Sequence, residues 1–161
     1  MTDVKRVFES LSFENVRTYG QSGNVIFDCR RAEKAKMAAC IEEELRETFW
    51  FSTNVLIRTQ PELETIIDNN PLIDSAGVRP DKLYVTFLSD APDETVASTL
   101  DIKLDQGETF VIVGKEVYLY CPNGYARTKL NNAMFETKLK TAATTRNWQT
   151  INKLLVISKL S

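Results

Sequence analysis

An α+β fold is what this sequence predicts, and three observations predict it. Stretches with apolar residues at helical spacing alternate with short runs rich in β-branched and aromatic residues. Two pairs of those runs are joined by tight glycine-containing turns, as hairpins are. The order helix, hairpin, helix, strand is read twice along the 161 residues, the second time with a strand ahead of it. A β-α-β-β-α-β unit is the ferredoxin-like arrangement, so the chain reads as two such subdomains in tandem. The first, 1-73, lacks its leading strand, since the chain starts too late to contain one. A loop at 74-81, with Gly77 and Pro80, joins it to the second, 82-161.

Each element has its own reason. Val4, Val7, Phe8 and Leu11 recur at helical spacing, and Phe13-Glu14-Asn15 ends that helix. Val16–Tyr19 and Val25–Cys29 flank Gly20-Gln21-Ser22-Gly23-Asn24, a hairpin in which Gly23 and Asn24 tolerate positive φ. Residues 31–50 are rich in Ala, Glu, Lys, Met and Leu, all strong helix formers, with Met37, Ile41 and Leu45 as the buried stripe. Asn54–Arg58 reads as a short strand. Pro61 suits a helix start, and Asn69-Asn70-Pro71 stops that helix. Leu83–Leu88 is a strand and Pro92–Leu100 a helix. Phe110–Val113 and Val117–Cys121, around Gly114-Lys115, make the second hairpin. Helices at Thr128–Lys140 and Trp148–Ser158 follow.

Composition excludes several function classes. The net charge of -2 is nearly balanced and argues against a dedicated nucleic-acid binder. Histidine is absent, which removes the commonest general base and the commonest metal ligand. The acidic residues show no metal-loop spacing, so no metal is expected, and no motif calls for a cofactor. Cys29, Cys40 and Cys121 form no C-x-x-C pair and follow no signal peptide, which suggests reduced thiols in a cytoplasm. No apolar run approaches a membrane span.

Four segments carry a resemblance. Gly20–Phe27, Tyr118–Gly124, Arg127-Thr128-Lys129-Leu130 and Ala143–Trp148 resemble the bacterial family called Domain of Unknown Function 1697. The resemblance spans essentially the whole chain. It implies an α+β fold of two ferredoxin-like subdomains and no activity. Family members begin earlier, with a strand running into an R-G-I-N-V-G-G turn that nothing here matches. If that turn contributes to the family's site, the site is incomplete in this chain. In a ferredoxin-like sheet the first strand is central, and its loss exposes two rows of unpaired backbone groups. A rearranged strand or a homodimer is expected to close the gap.

The candidate site lies in two segments that read as loops tipping into helices, Pro122–Leu130 and Thr144–Trp148. Helix starts favour anions. Arg127, Lys129 and Arg146, with Asn123, Thr128, Thr145 and Asn147, would suit a phosphate or carboxylate if the two helix starts converge. The plainer account is capping, with Thr128 and Asn147 as N-caps and the cations solvated. Gln21, Ser22 and Asn24 would bind a ligand at the first hairpin, or simply serve its turn. Cys29 and Cys121 alternate with apolar neighbours and are expected in the core. A nucleophilic role for Cys121 would need Lys129 or a helix start to lower its pKa. Tyr118 and Tyr120 would stack on bases as strand aromatics do, and Arg17 and Tyr19 would add to such a face only if the first sheet were exposed; tyrosines half-buried under a helix are the plainer account. Three readings result: a cytoplasmic binding module for a small anionic ligand, an enzyme acting on an anionic metabolite with these residues as an electrostatic clamp, and a nucleic-acid or protein interaction module.

Overall fold

The computed structural model describes residues 2–21, 23–30 and 33–160. The fold is α+β, with helices and two antiparallel sheets in two compact units, Met1–Gln60 with Leu154–Ser161, and Pro61–Lys153.

The first unit runs α1 (Thr2–Ser10), β1 (Glu14–Tyr19), β2 (Asn24–Asp28) and α2 (Lys34–Phe49). Strands β1 and β2 pair antiparallel, with Arg17 opposite Ile26 and Thr18 opposite Val25. The turn between them uses Gly20 and Gly23 at φ 66° and 83°. Asn24 is buried and closes the turn with its side chain, the amide donating to the Tyr19 carbonyl at 3.1 Å. Val7, Phe8, Val16, Met37, Ile41 and Leu45 form the core, so the expected stripe of α2 is the face that is buried. Phe8, Phe13 and Phe27 lock the helix to the hairpin, with the Phe13 and Phe27 centroids 4.5 Å apart. Helix α2 ends in a left-handed residue, Trp50, whose N–H donates to the Arg46 carbonyl. Glycine is the usual choice there, and this tryptophan is 91% exposed.

Two expectations for this unit are corrected. Asn54–Arg58 is not a strand, and among the described residues it joins no sheet. Its Val55 N–H donates to the Glu42 carboxylate (2.8 Å), and the Ile57 carbonyl accepts from the Arg58 guanidinium (3.0 Å). Cys29 is exposed, because β2 ends one residue earlier and the alternation stops with it. The last turns of α6 (Trp148–Ser158), from Leu154 on, also belong to this unit. Arg17 donates to the carbonyls of Ile157 and Leu160, capping that helix at the end where cations are favoured. Arg17 is therefore structural and no part of a base-stacking face.

The second unit holds α3 (Gln60–Asp68, from Pro61 on), a 3₁₀ turn at Pro80–Lys82, β3 (Leu83–Leu88), α4 (Glu94–Ser98), β4 (Thr109–Val113), β5 (Glu116–Tyr120), α5 (Asn132–Leu139), β6 (Ala143–Asn147) and the start of α6. The sheet order is β4-β5-β3-β6, antiparallel throughout. Strand β3 is central and buried on both faces, as its apolar run, broken only by Thr86, requires. On one face Leu88, Val117, Leu119 and Cys121 pack with Leu130, Phe135 and Leu139. On the other, Tyr118 is buried and its hydroxyl donates to the Ile66 carbonyl of α3 at 2.8 Å. That burial removes Tyr118 from any stacking surface.

The structure moves three boundaries. Residues 143–147, read as a loop entering a helix, are strand β6, which abuts α6 with no intervening turn. Thr144 and Thr145 are β-branched and pair with Phe87 and Thr86 of β3; their polarity had hidden a half-buried edge strand. Helix α5 starts at Asn132, later than Thr128, because Asn131 is its N-cap and accepts from the Met134 N–H at 2.9 Å. Helix α4 is only five residues long, held by Asp93, which accepts from the Thr95 and Val96 N–H groups.

Candidate functional site

The register of the second sheet gathers the expected residues at one end. Leu83 lies opposite Tyr120, and Tyr84 opposite Asn147. The end of β5, the start of β3 and the end of β6 are thus neighbours. The 121–131 loop leaves from this row. Gly124, at φ 89°, turns it back, with its N–H on the Cys121 carbonyl (2.9 Å). The Tyr125 ring then packs on Tyr84, centroids 5.3 Å apart, beside the position of Asn147.

Buried polar groups fix the loop. Thr128 is 7% exposed, and its hydroxyl donates to Glu108 Oε2 at 2.6 Å. The Thr128 hydroxyl oxygen also accepts from the Leu130 N–H at 3.1 Å. Glu108, itself 8% exposed, accepts through Oε1 from the Asp105 N–H at 3.0 Å. The expectation that Thr128 caps a helix is corrected: it latches the loop to the residues before β4. Arg79 supplies a second tether, its guanidinium donating to the Pro122 carbonyl at 3.0 Å.

The expected site residues divide by role. Asn123, Arg127 and Lys129 are exposed on the tethered loop, and no hydrogen bond or ion pair is found for Arg127 or Lys129 among the described residues. Thr145 faces α5. Its hydroxyl donates to Asn132 Oδ1 at 2.6 Å and meets the hydroxyls of Thr86 and Tyr125 at 2.7 and 3.1 Å. One proton and two lone pairs are thereby engaged. Arg146, the next residue along β6, points to the opposite face. It is half-buried, and its guanidinium donates to Thr144 Oγ1 (2.7 Å) and the Thr145 carbonyl (2.8 Å). Burial lowers its pKa from the ordinary arginine value. Asn147 caps α6, accepting from the Thr150 N–H at 2.8 Å, as the capping account expects. Gln21 is exposed in the first unit, where Asn24 serves its turn; Ser22 lies outside the described residues.

Sequence reading missed Arg79, which it placed in a linker. No local signal marks it; only the pairing of Leu83 with Tyr120 brings residue 79 to the Pro122 loop. Cys121 is fully buried, and its thiol is pushed up to about 11 by that burial, which outweighs its hydrogen bond with Thr128. A thiol protonated at neutral pH and closed to solvent is no nucleophile. Among the described residues no group of three or more Cys, Asp or Glu side chains is gathered as a metal would need, and no helix is long and apolar enough to cross a membrane.

A profile of the family described as "Protein of unknown function (DUF1697)" matches residues 1–118, most of the chain. The Pro122–Leu130 loop and β6 lie beyond the matched residues. A solved structure, that of conserved bacterial protein SP0830 from Streptococcus pneumoniae, is similar with a TM-score of 0.75 and 18% identity, over 99% of this chain and 88% of that one. At that identity the likeness is one of fold. The comparison with curated proteins found no match.

Proposed function

We propose that this chain, which belongs to the DUF1697 family, is a cytoplasmic binding module for a small anionic ligand, engaged where the 121–131 loop meets the start of β3. The carrying observation is the Arg79–Pro122 hydrogen bond (3.0 Å), which sets a third exposed cation beside the loop bearing Arg127 and Lys129. Arg79 uses one donor in that bond, and a guanidinium has five. The Thr128–Glu108 latch holds the loop in place, so less ordering is needed on binding. Asp81, exposed on the same segment, opposes an anion, so the reading depends on Arg79, Arg127 and Lys129 acting together. Arg146 is engaged on the other face of its strand and enters this reading only as support for the sheet end. The unpaired state of Cys29, Cys40 and Cys121 supports the compartment.

In this reading both units are ferredoxin-like. Support in the second unit is the strand order β4-β5-β3-β6, with α4 and α5 as the crossovers. Support in the first is the run α1, β1, β2 and α2.

Thermal shift with inorganic phosphate, pyrophosphate, nucleoside monophosphates and citrate is the test. Ligand at a hundred times its dissociation constant stabilises by about 2.7 kcal/mol. The shift is expected to vanish in Arg127→Ala and to shrink in Arg79→Ala. No shift with any of these anions, or one that survives both substitutions, overturns the site.

A further inference from the structure

The sheet of the second unit has two edges, β4 and β6, and their sequences differ in kind. Strand β6 reads Ala-Thr-Thr-Arg-Asn, mostly polar and carrying a cation, which blunts an edge. Strand β4 reads Thr-Phe-Val-Ile-Val. It has no charge, no proline and no break in register against β5. Charges, prolines and bulges are what keep edge strands from pairing with other chains, and β4 lacks all three. Every one of its residues is β-branched or aromatic, so its side chains favour the strand state.

Which backbone groups of β4 face outward follows from hydrogen bonds on the far side of β5. There the Leu88 N–H donates to the Lys115 carbonyl (2.8 Å) and the Cys121 N–H to the Lys82 carbonyl (3.0 Å). Residues 115 and 121 thus turn towards β3 and the residue before it. Alternation turns Glu116, Tyr118 and Tyr120 towards β4, where they meet Val113, Val111 and Thr109. Phe110 and Ile112, which lie between these, direct their N–H and C=O groups away from the sheet. Among the described residues no hydrogen bond from outside the β4–β5 ladder reaches either, and no strand lies beyond them.

That row is complementary to a second copy of itself. With two copies antiparallel about a two-fold axis at Val111, Phe110 of one protomer lies opposite Ile112 of its partner, on both sides of the axis. Each such pair exchanges both of its backbone bonds, so every outward donor of the strand meets an acceptor. Phe110 beside Ile112 is the aromatic and β-branched pairing that antiparallel strands favour. Val113, 46% exposed in the single chain, comes to lie beside Thr109 of the partner. No charge in residues 109–113 repels a like strand or recruits an unlike one. We propose that β4 is a homodimerisation edge, joining the four-stranded sheets of two copies into one continuous sheet. A contact along one short strand is smaller than the interfaces of permanent dimers, so the association is reversible and micromolar.

Sedimentation velocity over a series from low micromolar to millimolar chain reads the association, and the parent should pass from monomer to dimer. Val111→Lys and Val111→Glu each set like charges opposite one another at the axis, and each should stay monomeric. Mixed in equal amounts they set Lys opposite Glu, and dimer should return. Amide hydrogen exchange of the parent chain gives a readout that no substitution can spoil by unfolding. The Phe110 and Ile112 amides should slow about tenfold when about nine-tenths of the chains are paired, while Val111 and Val113, already bonded to β5, keep their rates. A monomer at every concentration overturns the proposal. So does a dimer in which Phe110 and Ile112 exchange as fast as in the monomer, or one that both charge variants still form, since it uses another surface. Charge variants that are folded by circular dichroism, yet stay monomeric when mixed, overturn the pairing about Val111 and the proposal with it.

Discussion

Replacing Thr128 by valine keeps the side chain's shape and removes the hydroxyl. Two bonds go with it: the 2.6 Å donation to Glu108 and the 3.1 Å acceptance from the Leu130 N–H. Hydrogen bonds to charged groups contribute about 1.5–3 kcal/mol, and an orphaned buried donor costs about 1–3. Thr128, Glu108 and Leu130 are at most 8% exposed, so water recovers little of either. The expected loss is about 3 kcal/mol, a large share of the 5–15 kcal/mol typical of a domain. Urea unfolding followed by tryptophan fluorescence measures it. Trp148 is half-buried in the second unit and reports there, while Trp50 is already exposed and changes little. Thr128→Ser restores the hydroxyl and should recover most of the loss. A valine variant within about 0.5 kcal/mol of the parent, the range of ordinary surface substitutions, would refute the latch.

Further expectations concern other sites. Cys121 should resist iodoacetamide at neutral pH until urea is added, while the exposed Cys29 and Cys40 label at once; mass spectrometry of the digest reads this. Burial raises Cys121 to about 11 and Tyr118 to about 12, so the folded chain keeps protons that the unfolded chain gives up earlier. Their contribution is complete below about pH 9 and falls as pH climbs through 11, with a loss of order 2–3 kcal/mol from Cys121 alone, visible in urea midpoints. Gly107→Ala should destabilise by more than about 1 kcal/mol, since Gly107 sits at φ 85° and an added Cβ would lie 3.1 Å from Pro122 Cγ. Asn131→Ala should cost about 1 kcal/mol as a lost N-cap, read from the same urea curves.

What was legible in the sequence was whatever depended on periodicity. The α2 stripe, the two hairpins, the β3 run and the burial of Cys121 follow from alternation or helical spacing. What was hidden depended on partners distant in sequence. Ala-Thr-Thr-Arg-Asn looked like a loop because its polar side chains are satisfied by Thr86, Asn132 and Tyr125, which no window around residue 145 contains. Thr128 looked like a helix cap because a threonine before a helical stretch usually is one; Glu108, twenty residues upstream, claims it instead. Of the candidate site, Arg127 and Lys129 were readable as exposed cations, while the place of Arg79 depended on strand register.

The central position of β3 also dictates when the second unit can form. Its partners β5 and β6 both come later in the chain, and β6 comes after an intervening helix. During synthesis β3 therefore emerges as an apolar strand with both edges open, and only the local β4–β5 hairpin can offer it an early partner. Loop-closure entropy must be met before these distant pairings form, so folding of this unit should be slow for its size and should wait on β6. A nascent chain stopped before Ala143 would leave one edge of β3 bare, the state in which it is most open to aggregation or capture by a chaperone.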